Sequence, residues 1–225
     1  MVIINYILLC VLFYLLGSIP VSYLIVKKKT GKNIINEGSG NAGALNSFDV
    51  TKSKSVGILV LILDFLKGAL PALFISLVIH LPVSLAVLPL SCVVLGHNFS
   101  VWIKFKGGRG LATSAGICVV VNFWLLIIWC VVFLIFFALK RNVHVGNIAA
   151  TFFLPLVVIF TSDFLIKFNY DFNYSGIEKF QDNFGSLFTI TASVCILILI
   201  RHIEPAIDLL KKFKKNESES AVKNN

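Results

Sequence analysis

Between two basic clusters, Lys104-Phe105-Lys106-Gly107-Gly108-Arg109 and Lys140-Arg141, the chain reads GLATSAGICVVVNFWLLIIWCVVFLIFFAL over residues 110–139. These thirty residues include no Lys, Arg, Asp or Glu. A helix needs about 20 apolar residues to cross the ~30 Å hydrocarbon layer. Thirty are more than one span requires and too few for two full ones. Basic residues are retained on the cytoplasmic side of a membrane, so both flanks belong on that side. The stretch must then cross an even number of times. The reading is two short helices that enter, break near Asn122 and return, with neighbouring spans burying their ends. One long tilted helix is the competing reading, and it would place Lys140 and Arg141 outside.

Working outward, uncharged or nearly uncharged runs recur at 2–26, 56–80, 81–103, 143–162 and 184–200, with Asp64 and Lys67 the only charges inside them. The remaining basic residues cluster at their ends. Lys27, Lys28, Lys29, Lys32, Lys52 and Lys54 follow the first run, and Lys211, Lys212, Lys214, Lys215 and Lys223 lie in the tail. Segment 163–183 carries Lys167 and Lys179 beside Asp163, Asp171, Glu178 and Asp182, so it reads as external. The expectation is an all-α polytopic membrane bundle of about seven transmembrane helices, N-terminus out and C-terminus in. One transmembrane domain spans 1–210, and 211–225 is a basic cytoplasmic tail.

Composition agrees. Of 225 residues, 57% are hydrophobic and 14% charged, against roughly 25% charged in soluble chains. Mean hydropathy is +0.90, yet the formal net charge is +9. That combination excludes a disordered chain, a collagen and a small disulfide scaffold. The basic residues sit between apolar runs, which argues against a nucleic-acid binder. Cys10, Cys92, Cys118, Cys130 and Cys195 all fall inside apolar runs without paired spacing, so they read as small apolar residues, with no disulfide or metal set. The first run lacks a preceding basic region and a following cleavage site, so it is expected to stay in the membrane.

Polar chemistry concentrates in two glycine-rich loops on the same face. The first is Gly38-Ser39-Gly40-Asn41-Ala42-Gly43-Ala44. Glycines let backbone N–H groups converge on an anion, and Ser and Asn add side-chain donors. A flexible turn is the alternative. The second is Lys104-Phe105-Lys106-Gly107-Gly108-Arg109-Gly110, just before a helix, where the N-terminus favours negative charge. Together they point to a ligand with two phosphates or to two phosphorylated ligands. Asp64 and Lys67 share one helix face, either as a structural ion pair or facing a polar interior. Arg201, His202 and Glu204 follow the last run as an interfacial cap or as part of a site. Gly17-Ser18 and Pro20 mark a kink or a bend around a polar pocket.

These residues, in this order and spacing over nearly the whole chain, resemble the bacterial acyl-phosphate:glycerol-3-phosphate acyltransferases. The match is carried by Gly17-Ser18-Ile19-Pro20, Gly38 to Ala44, Asp64-Phe65-Leu66-Lys67-Gly68, Gly96-His97, Phe105 to Gly110 and Arg201-His202. The resemblance implies a bacterial inner-membrane enzyme with a cytoplasmic site and no cofactor or metal. It would transfer a fatty acyl group from acyl phosphate to the 1-hydroxyl of glycerol 3-phosphate in phospholipid synthesis, giving lysophosphatidic acid and phosphate. Its partners would be those substrates and membrane lipids, not nucleic acid, and the protein would be a monomer. Gly38, Ser39, Gly40, Asn41, Asn46, Lys104, Lys106, Gly107, Gly108 and Arg109 become the phosphate-binding set. Ser18, Asp64, Lys67 and Arg201 support the pocket. His97 and His202 are the candidate bases.

The sequence departs from the family pattern at several positions. Leu45 stands for a threonine, Asp49 for an arginine, Ser100 for a proline, Arg109 for a lysine and Pro205 for an asparagine. A serine-rich loop is replaced by Val143-His144-Val145-Gly146-Asn147. Asp49 matters most, because one charge pair at ~4 Å and an effective dielectric of ~20 is worth about 4 kcal/mol. Lys52, Lys54 or His144 could compensate, or Asp49 could point away from the site. Alternatives are a diverged member with another acceptor, a non-catalytic phosphate or phospholipid binder, or a small anion transporter built on Asp64–Lys67. The transporter should show paired halves with interrupted helices, and no such repeat is present.

Overall fold

The computed structural model describes residues 3–167, 184–211 and 214. Most of the 163–183 segment and of the tail therefore lies outside the described residues. The fold is an all-α membrane helix bundle. Helix α1 (Ile3–Ser18) continues after a break as α2 (Val21–Thr30), and a short α3 (Ala44–Thr51) follows. Next come α4 (Lys54–Phe74), extended by a π-helical turn Ile75–Ile79, then α5 (Val83–Asn98), α6 (Leu111–Val121) and α7 (Phe123–Lys140). The chain closes with α8 (Val143–Lys167), α9 (Phe184–Ile200) and α10 (Ile203–Lys211), the last two meeting at a 52° bend. Five helical segments are long and apolar enough to span a membrane, and α9 with α10 adds a sixth.

The uncharged stretch 110–139 breaks at Asn122, as its length required. The Asn122 side chain accepts from Trp124 N and donates to the Leu165 carbonyl at 2.9 Å, so the break lies near the end of α8. Arg109, before α6, meets His144 at the start of α8. Helices α7 and α8 join through two residues, Arg141 and Asn142. The stretch therefore goes in along α6 and comes back along α7, leaving Arg109 and Lys140 at the same end. At about 1.5 Å per residue the eleven-residue α6 rises only ~16 Å. Its end is sheltered by α8 through the Asn122 bond. Helix α7 has Leu125 as its only fully buried side chain; Trp124, Ile128 and Trp129 pack against the core, and Ile127, Val131, Leu134, Ile135 and Leu139 stay exposed, as on a helix with one lipid-facing side.

Two helix pairs approach closely through small residues. A side chain at Gly17 would strike the Val93 carbonyl, and one at Gly96 would strike the Tyr14 carbonyl, so α1 and α5 touch backbone to backbone. Gly68 against Thr113 and Gly116 against Phe65 do the same for α4 and α6. Without a hydrophobic driving force between helices in lipid, such contact is how they associate. The main core is an apolar cluster including Phe13, Leu90, Val93, Ile117 and Leu187, and a smaller one of Val26, Ile34 and Ala42 lies under the first glycine loop.

Two sequence expectations need correction. Segment 163–183 was expected to be a loop from its start, but α8 carries on through Lys167, because charged residues can occupy the last turns of a helix that outruns the apolar layer. The long loop after α2 is also partly helical, as α3.

Candidate active site

The break between α1 and α2 is the first part of the site. Pro20 has no N–H, so the helix ladder fails there and carbonyls are released. The Ile19 carbonyl accepts from Lys67 Nζ at 2.6 Å, and the Ser18 carbonyl accepts from the Ser100 hydroxyl. Lys67 also pairs with Asp64 at 2.9 Å, and Asp64 lies 3.7 Å from His97 Nδ1. Asp64, Lys67, His97 and Ser18 are all buried, and they line a cleft of about 190 Å³ with Pro20, Ala42, Gly107 and Gly108. Asp64 and Lys67 are thus an ion pair and part of a polar interior at once. The proline break is a bend around a polar pocket.

The two glycine loops come together: Ala42 N donates to the Gly107 carbonyl at 3.4 Å. Much of their backbone, however, is committed within the protein. Gly107 N and Gly108 N donate to the carbonyls of Asn98 and His97, the end of α5. A Cβ at Gly107 would hit the His97 carbonyl, and one at Gly108 would hit the His97 imidazole. These glycines are required by packing on α5. In the first loop the N–H groups of Ser39, Gly40, Ala42 and Gly43 are likewise committed. Asn46 holds that loop. Its amide donates to the carbonyls of Ile34, Glu37 and Asn41, and its Oδ1 accepts from Ser39 N. Asn46 was expected to bind phosphate, but its hydrogen-bonding capacity is taken up by the loop. Gly38 and Gly40 take positive φ, the turn geometry that glycine permits. Ser39 stays exposed, and Asn41 Oδ1 is buried without a partner.

The second loop distributes its cations to different places. Lys104 and Lys106 line a separate, wider cleft of about 680 Å³ with Tyr23, Asn33, Asn36 and Trp102. Arg109 is not among the residues that line it. Lys104 and Phe105 both take positive φ, which sends the chain back toward α5 before Gly107. Arg109 is half-buried and its NH1 lies 3.5 Å from His144 Nδ1. Arg201 donates through Nε and NH2 to the carbonyls of Gly108 and Gly107, 3.0 Å each, tying α9 to the loop. His202 follows it in the turn beyond α9 and is buried. Its Nδ1 donates to the Ile198 carbonyl at 2.9 Å, and its Nε2 is buried without a partner. Burial pushes the His202 pKa down to about 4, with Arg109, His144 and Arg201 adding to the effect. The imidazole is therefore neutral, with a lone pair on Nε2.

The two candidate bases differ in access to a proton. His97 lies between Asp64 and Gly108, with its Nδ1 3.7 Å from the Asp64 carboxylate. His202 has an uncommitted acceptor nitrogen. Ile198, whose carbonyl accepts from His202, lines an apolar cavity. That cavity is also lined by Leu111 and Ser114 of α6, and deeper by Cys118, Leu125 and Trp129. Asp49 is exposed on α3, and with Lys52 and Lys54 it is absent from both polar clefts. Sequence reasoning weighed His144 only as a spare donor, and nothing in its spacing joined it to Arg109.

Residues 7–212 match the family model described as glycerol-3-phosphate acyltransferase. A glycerol-3-phosphate acyltransferase of Endomicrobium trichonymphae is 33% identical over 93% of this chain and 98% of its own length. A second, from Lactobacillus johnsonii, is 35% identical over 88% of this chain and 81% of its own. Among solved structures, PlsY, an integral membrane glycerol 3-phosphate acyltransferase in its glycerol 3-phosphate form, superposes with a TM-score of 0.73 at 31% identity. That match covers 92% of this chain and 93% of PlsY. With bent spans, paired glycine loops and the Arg201-His202 turn in one arrangement, and with these matches, the chain belongs to the glycerol-3-phosphate acyltransferase family.

Proposed function

We propose that this chain transfers a fatty acyl group from acyl phosphate to the 1-hydroxyl of glycerol 3-phosphate. The reaction yields lysophosphatidic acid and inorganic phosphate for phospholipid synthesis. The observation that carries the reading is a cluster of two arginines and two histidines beside an apolar cavity. Arg109, two residues before Leu111, meets His144, and His202, which follows Arg201, bonds to the Ile198 carbonyl; Leu111 and Ile198 both line the cavity. A phosphate seat and an acyl-chain slot are what the two substrates require.

In this reading the donor is already activated, so no covalent enzyme intermediate is needed. The hydroxyl oxygen attacks the acyl carbonyl carbon, the carbon–oxygen bond to phosphate breaks, and phosphate leaves with its electron pair. The hydroxyl proton passes to His202 Nε2, the uncommitted acceptor, or to the departing phosphate. Arg109 stabilises the charge on phosphate. Holding both substrates in place can lower the barrier by about 7–11 kcal/mol. Asp64, Lys67, His97 and Ser18 fix the bend and the Gly107-Gly108 loop, and Arg201 holds that loop from the other side. Lys104 and Lys106, in their own cleft, attract anionic substrates to the surface.

The protein is an integral membrane protein, and we place it in the bacterial plasma membrane with the site facing the cytoplasm. Supporting this, contacts gather the basic segments at one end. Tyr23 of α2 shares a cleft with Lys104 and Lys106, Arg109 meets α8 beside Lys140, and Arg201 meets the Gly107 loop. The test is direct. Purified protein in lipid, given long-chain acyl phosphate and glycerol 3-phosphate, should release phosphate and form lysophosphatidic acid, whereas acyl coenzyme A should not replace the donor. A folded sample with no turnover would overturn the proposal.

A further inference from the structure

The apolar cavity between α6, α7, α8 and α9 is interrupted at one point. Ser114 lines it at 3% exposure, and its hydroxyl has no partner among the described residues. The other lining residues are Leu, Ile, Val, Ala, Cys and Trp129, whose indole N–H donates to Thr151 Oγ1 at 3.1 Å. A helical Ser or Thr can return its hydroxyl to the carbonyl one turn back. Ser47, Ser91, Thr161 and Thr191 do so. Ser114 does not: the Gly110 carbonyl takes its backbone N–H at 2.8 Å, and its hydroxyl stays unbonded. An unbonded hydroxyl in apolar surroundings costs stability until an acceptor reaches it.

The setting of Ser114 identifies the acceptor. Leu111, Ser114, Ala115 and Cys118 follow the i, i+3, i+4, i+7 spacing of one helix face, and all four line the cavity. Arg109 stands two residues before Leu111. The order is therefore cation, hydroxyl, apolar wall. An acyl phosphate has the matching order of phosphate, carbonyl oxygen and hydrocarbon chain. Its carbonyl oxygen accepts hydrogen bonds, and the first turn of α6 favours negative charge developing on it.

We propose that Ser114 is a catalytic residue: its hydroxyl donates to the carbonyl oxygen of the acyl phosphate and stabilises the negative charge that forms there. The inference rests on the function proposed above and adds a residue to its mechanism. As the glycerol 3-phosphate hydroxyl attacks the carbonyl carbon, the π electron pair moves onto the oxygen that Ser114 Oγ–H holds. The pair then returns, the carbon–oxygen bond to phosphate breaks, and phosphate leaves with its electrons. Ser114 keeps its proton throughout, and the attacking hydroxyl gives its proton to His202 Nε2 or to phosphate.

Ser114→Ala, Ser114→Thr and Ser114→Val are compared with the unaltered protein in lipid. Loss of a donor to this oxygen should lower kcat about a hundredfold in the Ala and Val variants, with KM for glycerol 3-phosphate little changed. Thr, which keeps the hydroxyl, should retain most of the activity. Thr and Val have the same shape, so they separate chemistry from packing: Val should melt no lower than Thr. A spectroscopic readout needs no turnover. A long-chain β-ketophosphonate copies acyl phosphate with a methylene in place of the bridging oxygen, so it has no leaving group. Its bound carbonyl should absorb at lower infrared frequency in the unaltered protein and Ser114→Thr than in Ser114→Ala and Ser114→Val. An unchanged kcat, an unchanged carbonyl band, or a Val variant melting well below Thr would each overturn the proposed role. A folded protein without turnover whose carbonyl band still depends on the Ser114 hydroxyl would sink the acyl-transfer reading and leave the carbonyl contact standing.

Discussion

Asp49 shows how position decides what a charge can do. It replaces an arginine of the family pattern, and inside a phosphate site that exchange would cost several kcal/mol. On the exposed face of α3, beside Leu45 at 59% exposure, it is surrounded by solvent and lines neither polar cleft. Charges separated by more than a Debye length, about 8 Å at physiological salt, interact weakly. Asp49→Ala should therefore change the KM for glycerol 3-phosphate by less than about twofold. A tenfold fall would mean that the carboxylate does reach the phosphate. His202 presents the opposite case, a group enclosed and kept neutral. Its pKa is lowered to about 4 by burial and by neighbouring cations. A histidine-selective NMR titration, assigned with His202→Asn, should find this imbalance directly. One imidazole should hold its proton on Nδ1 and stay neutral as pH falls through 6, charging only near pH 4. Folding favours the neutral ring, so this group's contribution to stability is complete above the ordinary histidine pKa of 6.5 and declines as pH falls toward 4. A transition near 6.5 would show the ring to be solvated and would remove the argument for it as a poised acceptor.

Among the elements, the α4–α6 contact does most to position the polar cleft. Gly68 and Gly116 bring the two backbones together, and Thr113 Oγ1 donates to the Asp64 carbonyl across the same contact. Gly116→Ala would push a methyl group onto the Phe65 carbonyl. Overpacking of this kind costs about 1–3 kcal/mol, so the variant should melt several degrees lower in detergent. Its activity should fall with the displacement of Asp64 and Lys67. An unchanged melting temperature would mean that the helices are not in close contact. This level also shows what sequence could and could not convey. Length and charge located the break at Asn122, because thirty uncharged residues between two basic clusters leave few solutions. Glycine content located the two loops, but spacing does not reveal that the Gly107 and Gly108 N–H groups bond to the end of α5. Nor does spacing reveal that Lys104 and Lys106 line a different cleft from the one that Gly107 and Gly108 line. Arg109 and His144 meet only because α6 and α8 begin at the same end.

For the whole molecule, the strongest claim is that one uncharged stretch enters and returns, because every basic cluster then shares a side and the site can be assembled there. If α6 and α7 were instead one crossing, Lys140 would lie across the membrane from Arg109. The contact of Arg109 with His144, only four residues beyond Lys140, could not then form. Single cysteines at Lys29, Lys140 and His80 test this in a background lacking the five native cysteines, all of which lie in apolar helices. His80 terminates the α4 extension and precedes α5. Nearby, Tyr6 at the outset of α1 bonds to the Leu85 carbonyl, so this end of the bundle also holds the beginning of the chain. A membrane-impermeant maleimide applied to intact cells should label His80→Cys and leave Lys29→Cys and Lys140→Cys unreacted. In inverted vesicles the pattern should reverse. Labelling of Lys140→Cys together with His80→Cys would make 110–139 a single crossing and dismantle the arginine–histidine cluster. Labelling of Lys29→Cys and Lys140→Cys from outside, with His80→Cys protected, would keep the hairpin and the site but turn the bundle over. The phosphate seat would then face away from the cytoplasmic substrates assigned to it.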